Sequence, residues 1–174
     1  MNNSQHYASI RARLGSVGRI TVLHIGEEET TVAVGGGPAA DAVRTLAIGS
    51  MRTSRDYFKQ SPPGRLEFEI AIEPVEDEII KAHGMLPPAS KLYSADDGLR
   101  RVALLAGVPE GDEMSLDLEA MERVFSRLAA VVQGKPAAHE GIPDDNAFAA
   151  TLLILREFMH HLGFSSIVLL AAEA

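Results

Sequence analysis

An α/β fold built on a mixed sheet is what the sequence predicts, and three observations predict it. Three β-rich runs follow one another closely between residues 20 and 48, and links this tight join antiparallel neighbours. Helical and strand-like segments then alternate to the end of the chain. Near the C-terminus a strongly apolar helical segment runs into a short apolar strand, of the kind buried on both faces.

Ile20 to Ile25 is β-branched, alternates weakly and stops at Gly26. Thr30 to Val34 is the second run, and the short polar link Glu27-Glu28-Glu29 makes the pair a hairpin. Gly35-Gly36-Gly37-Pro38 breaks it, and Val43 to Ile48 gives a third strand ending at Gly49. Ser54 to Lys59 opens a helix that Ser61-Pro62-Pro63-Gly64 interrupts. Leu66, Phe68, Ile70 and Ile72 then alternate as a strand does. Pro74 followed by Val75, Ile79 and Ile80 suits a helix from about Glu73, and the segment is assigned as helix.

Lys91 to Ser94 is a short strand. Asp96 or Asp97 caps a helix from Gly98 to Ala106, which Gly107 stops. Ser115 is expected to cap the next helix, where Leu118, Met121, Phe125, Leu128 and Val132 keep helical spacing. After a loop from Gly134 to Pro143, Asp144 or Asp145 opens the clearest helix of the chain. Phe148, Leu152, Leu155, Met159 and Leu162 line one face, while Leu153, Ile154 and Phe158 fill others, so burial nearly all round is expected. Gly163 ends it before the strand Ile167 to Leu170. The order is three strands, helix, strand, helices, strand. Residues 1–18 read as an N-terminal extension and 19–174 as one domain.

Composition narrows the function classes. The 174 residues are 46% apolar and 23% charged, an ordinary globular balance and enough for a substantial core. A net charge of −8 and dispersed Lys and Arg argue against nucleic acid, whose phosphates need clustered cations. Only 5% of residues are aromatic and none is Trp, so a base-stacking platform is poorly supplied. The apolar stretches are too short to span a bilayer, and the first residues lack signal-peptide character. With no cysteine, disulfides, thiolate metal sites and a cysteine nucleophile are excluded. A cytoplasmic location is the simplest expectation.

Three stretches carry a resemblance to a known family. Val22-Leu23-His24-Ile25-Gly26-Glu27-Glu28-Glu29-Thr30-Thr31 sits where that family has a glycine-rich phosphate loop. Leu46-Ala47-Ile48-Gly49-Ser50-Met51-Arg52-Thr53, followed by Tyr57-Phe58, is similar to its next strand and turn. Met114 through Ile167, including Leu152-Leu153-Ile154-Leu155-Arg156, follows its long helical region and closing strand. The chain from about residue 19 to 170 thus resembles the C-terminal half of the exopolyphosphatase/guanosine pentaphosphate phosphohydrolase (Ppx/GppA) family. The resemblance implies an actin-like ATPase half-domain, a member of the ribonuclease-H-like architecture. It also implies two halves facing each other across a phosphate-binding cleft, the first half supplying a catalytic carboxylate.

The departures from that pattern point one way. A bare glycine turn lets several N–H groups converge on phosphate oxygens; here only Gly26 remains, and Glu27, Glu28 and Glu29 add bulk and negative charge. His24 stands where the resemblance implies a metal-holding Asp, and imidazole is a poor choice for magnesium. Ser94-Ala95-Asp96-Asp97-Gly98 occupies the second phosphate turn, again with carboxylates where phosphate would lie. No stretch corresponds to the first half; if the chain is complete, half of the site is absent or comes from another chain.

The expected ligand-contacting residues, if the degenerate loops still bind anything, are Gly26, Glu27, Glu28, Glu29, Thr30, Gly49, Ser50, Arg52, Ser94, Asp96, Asp97 and Gly98. Arg52 is a candidate anion contact or an ion-pair partner of Glu28 or Asp56. The plainer reading of the glutamates is a solvated hairpin turn, and of the two aspartates, one helix cap and one solvated side chain. His160 and His161 point about 100° apart on a helix and do not readily chelate one ion together. No catalytic residue or metal ligand is assigned, and magnesium is expected only if the chain is catalytic. The expected function is that of a non-catalytic relative, a binding or assembly module. It would form a homodimer or take a partner protein over the face the missing half would cover. The alternative is a phosphatase of polyphosphate or guanosine polyphosphates completed by a second chain.

Overall fold

The computed structural model describes residues 2–173. Its strands are β1 (Ile20–Ile25), β2 (Thr30–Gly35), β3 (Ala42–Leu46), β4 (Lys91–Ser94), β5 (Glu113–Asp117) and β6 (Ser166–Leu170). Its helices are α1 (Asn3–Leu14), α2 (Ser50–Tyr57), α3 (Arg65–Ile80), α4 (Asp97–Leu105), α5 (Leu118–Val132), the single turn α6 (Ala137–Glu140) and α7 (Asn146–Leu162). One six-stranded sheet runs in the order β3-β2-β1-β4-β6-β5. The first three strands are antiparallel neighbours, as their short links require. β4 then joins β1 in parallel, β6 joins β4 in parallel, and β5 closes the far edge antiparallel to β6.

The main core lies on one face of the sheet, and α7 is its centre. Phe148, Leu152, Leu153, Ile154, Leu155, Phe158 and Met159 are all buried, because α7 has α2, α3, α4 and α5 packed around it. Asp145 opens this helix, its carboxylate accepting from the Ala147 N–H at 2.9 Å, and Gly163 closes it in the left-handed conformation. The opposite face is covered by α1, whose Tyr7 and Ile10 pack on Ile20, Val22, Ala33, Tyr93 and Leu170. Arg11 clamps this helix down. Its guanidinium donates to the Val17, Gly18 and Gly36 carbonyls at 2.9, 2.7 and 2.5 Å.

The sequence reading places no helix where α1 and the single turn α6 stand, and three further elements differ from it. Ser115 does not cap α5 but lies inside the strand β5, whose Met114 and Leu116 point into the core. Asp117 is the cap, accepting from the Ala120 N–H at 2.7 Å. α3 begins at Arg65 rather than near Glu73 and carries Pro74 inside it. Within its alternating apolar run, Phe68, Ala71, Val75 and Ile79 are the buried set, which is helical spacing, while Leu66 and Ile70 face solvent. The Glu67 carboxylate secures this start by accepting from the Gly64, Gln60 and Lys59 N–H groups at 3.0, 3.3 and 2.6 Å. α2 likewise starts earlier, at Ser50, because the hairpin turn docks on its first residues.

Candidate functional site

Because β1 and β4 run parallel, their C-terminal ends emerge at the same end of the sheet. That is where open α/β sheets bind ligands, and both candidate turns of the sequence meet there. The residues of each turn have been put to other uses.

The β1–β2 turn is closed by the Gly26 N–H donating to the Glu29 carbonyl at 2.9 Å. Glu27, Glu28 and Glu29 are exposed, while Thr30 is fully buried and its hydroxyl lacks a partner among the described residues. The turn lies directly on the N-terminus of α2. The Ser50 N–H donates to the Gly26 carbonyl at 2.9 Å, and the Met51 and Arg52 N–H groups donate to the Glu27 carbonyl at 2.9 and 3.0 Å. The amides that begin a helix are the ones an anion would need, and here carbonyls hold them. The approach depends on Gly49: a Cβ there would stand 2.4 Å from the Glu27 oxygen and 2.7 Å from two backbone carbons.

The β4–α4 turn is held by one side chain. Asp96 occupies the N-cap position of α4 but makes no capping bond. Its carboxylate reaches across to β1 instead, Oδ2 accepting from the Ile25 N–H at 2.7 Å and Oδ1 lying 2.6 Å from His24 Nδ1. The buried Ser94 hydroxyl accepts from the Asp96 N–H at 3.2 Å. His6 of α1 stacks on the His24 ring, centroids 4.0 Å apart. The Asp96 hydrogen bond raises the His24 pKa above its ordinary value, whereas burial and then the neighbouring His24 lower that of His6. Asp97 and Gly98 face solvent.

The Arg52 side chain points away from this meeting point, although its backbone N–H takes part in it. It shares a depression with Asp56, Asp77 and Glu78, and its Nε is 4.0 Å from the Asp56 carboxylate. Glu28 pairs with Arg55 rather than Arg52, two bonds at 2.9 and 3.1 Å, and that bond lowers the Glu28 pKa. Gly26, Glu27, Glu28, Glu29, Thr30, Gly49 and Ser50 therefore form one cluster. Ser94 and Asp96 are tied to it through His24, Asp97 and Gly98 flank it, and Arg52 faces other acids.

Magnesium needs several converging oxygens. Both Asp96 oxygens are engaged, Glu28 is held by Arg55, and no three carboxylate or imidazole donors converge at this end of the sheet among the described residues. Asp96 and Glu28 are thus committed to partners within the chain. The sequence gives no sign of the His24–Asp96 link, whose members stand 72 residues apart, nor of the contact with His6.

The class defined by this sheet order and helix placement is an actin-like ATPase-type α/β half-domain. Solved structures of that fold match it closely. The Aquifex aeolicus Ppx/GppA phosphatase, type II variant, superposes with a TM-score of 0.79 at 17% identity over 98% of this chain and 60% of its own. An exopolyphosphatase from Cytophaga hutchinsonii gives 0.73 at 12% identity, over 97% and 60%. An exopolyphosphatase-like protein gives 0.72 at 15%, over 99% and 63%. The chain thus has the fold of Ppx/GppA structures and spans about 60% of their length. No family model and no curated protein matches the sequence. Among the described residues no helix is long and apolar enough to cross a membrane.

Proposed function

We propose that this chain is a non-catalytic relative of the Ppx/GppA phosphatases that works as a binding or assembly module. One observation carries the reading: the first three amides of α2 donate to the Gly26 and Glu27 carbonyls, so the helix end presents oxygen where a phosphate would need N–H. The exposed Glu27, Glu28 and Glu29 repel a polyanion from the same place. The assembly part of the reading rests on apolar side chains left in water. Leu66 and Ile70, one turn apart on α3, are 68% and 54% exposed, and a protein partner would cover them. A second copy of the chain is the proposed partner.

The test is phosphate release from polyphosphate and guanosine polyphosphates with magnesium or manganese, beside light scattering across a wide concentration range. No release above the blank and a mass of two chains are expected. Phosphate release that rises in proportion to the protein added would overturn the non-catalytic reading, and a one-chain mass at every concentration would overturn the assembly reading.

A further inference from the structure

Away from the two turns, α3, α5 and α7 bring together a second set of titratable side chains. Glu157 of α7 is only 2% exposed, and a carboxylate is buried only where its charge is matched. Its Oε1 accepts from Arg156 Nη1 at 2.8 Å, and its Oε2 lies 2.9 Å from Nε2 of His161, one turn further on. Glu76 of α3 aims Oε1 at the same nitrogen from 3.7 Å. Arg156 is shared, its Nε lying 3.3 Å from Glu122 of α5, which also bonds His160. Among these side chains, Arg156 thus serves two of the three carboxylates, Glu157 and Glu122, and Glu76 has only His161. A proton on His161 Nε2 serves Glu157 but not Glu76, because 3.7 Å is beyond hydrogen-bond length.

A proton can serve only two of the three donors, whereas one metal ion can take all of them. Ligands about 2.0–2.1 Å from one tetrahedral cation lie about 3.4 Å apart, and the 2.9 and 3.7 Å separations bracket that value. All three donor atoms fall within 4.8 Å of one another. We infer that Glu76, Glu157 and His161 form a site for a divalent transition metal of the zinc class, clamping α3 to α7. An imidazole with two carboxylates selects zinc and its neighbours over magnesium or calcium. Arg156 holds the other Glu157 oxygen and so orients Oε2 for ligation, as outer partners of metal ligands do. The Glu76 and His161 side chains are 37% and 33% exposed, which gives an ion a way in and water the fourth position.

Thermal unfolding with added zinc tests the site, since an ion that binds the native state alone raises the melting temperature. Zinc at about a hundred times its dissociation constant is expected to raise it by about 5–10 °C, and magnesium at the same concentration by nothing. Glu76→Gln and His161→Gln, both at part-exposed positions, are each expected to lose the zinc shift. Cobalt(II) absorption gives a second readout, at a temperature where every variant is folded: a visible tetrahedral spectrum in the native protein, lost in both variants. Absence of any zinc shift, or a shift and spectrum kept in both variants, would overturn the assignment.

Discussion

The two turns at the β1 and β4 ends are closed by different means. The β1–β2 turn is closed by backbone: carbonyls of residues 26 and 27 cap α2, and the approach is allowed by Gly49. The β4–α4 turn is closed by one carboxylate, Asp96, reaching to His24 and Ile25. A backbone closure is set by chain geometry and survives most side-chain changes, including loss of the glutamates. A side-chain closure can be undone by one substitution. Negative charge at both turns conceals this difference, since at the first the glutamates project into solvent and at the second the aspartate is the closing element.

The largest effect is expected at the backbone closure. Gly49→Ala forces a Cβ against three backbone atoms that have no rotamer to yield, and should cost about 3 kcal/mol, the upper end for forced overpacking. Gly98→Ala, in the other turn, meets only Thr151 Cγ2 at 3.7 Å, and alanine in a helix is favoured over glycine by about 0.5–1 kcal/mol. Urea denaturation of the two variants should therefore move in opposite directions. Equal destabilisation would remove the distinction between the turns.

The side-chain closure is expected to be the next most sensitive. Asp96→Ala leaves the Ile25 N–H without its acceptor and should cost about 2 kcal/mol, as for hydrogen bonds to a charged group. Asp96→Asn keeps an acceptor for that amide and should cost less. Either change removes the carboxylate bond that raises the His24 pKa, so its titration should fall toward the ordinary histidine value. A His24 titration unaltered in Asp96→Asn would show that the 2.6 Å contact is not what sets it.

What could be read from the sequence follows the range of the forces involved. β1 to β3 and α7 were legible because local patterning decides them: short links, β-branched runs, a cap at Asp144 or Asp145 and apolar residues on every face of one helix. β5 was not, since Met114 and Leu116 are its only inward residues and Ser115 between them resembles a cap. In α3 the alternating Leu66, Phe68, Ile70 and Ile72 mimic a strand, and only packing of Phe68 against Phe58 and Phe125 settles the helix. At the site the positions of both turns were legible and their closures were not. Backbone carbonyls leave no mark on a sequence, and Asp96 finds its partners across 72 positions. Arg52 reads from the sequence as an anion contact or as a partner of Glu28 or Asp56; Asp56, four residues on, is the acid beside it, while Asp77 and Glu78 join it only in the fold.

The smallest expected effect is on pH dependence, and it tests whether α1 belongs to the second closure. The folded pKa of His24 is raised by its Asp96 bond above 6.5, so its contribution to stability is complete below 6.5 and is lost as pH rises through the raised value. The folded pKa of His6 is lowered, by burial first and by His24 second. Its contribution is complete above 6.5 and is lost as pH falls through the lowered value. Between the two titrations His24 is charged, His6 is neutral, and the stacked pair is at its most stable. Proton NMR of the imidazole resonances should therefore show His6 titrating at lower pH than His24. His6→Ala should remove the acid-side loss and leave the alkaline-side loss in place. If His6 titrates above His24, the stacked pair is not what joins α1 to the β4–α4 turn, and that closure is the work of Asp96 alone.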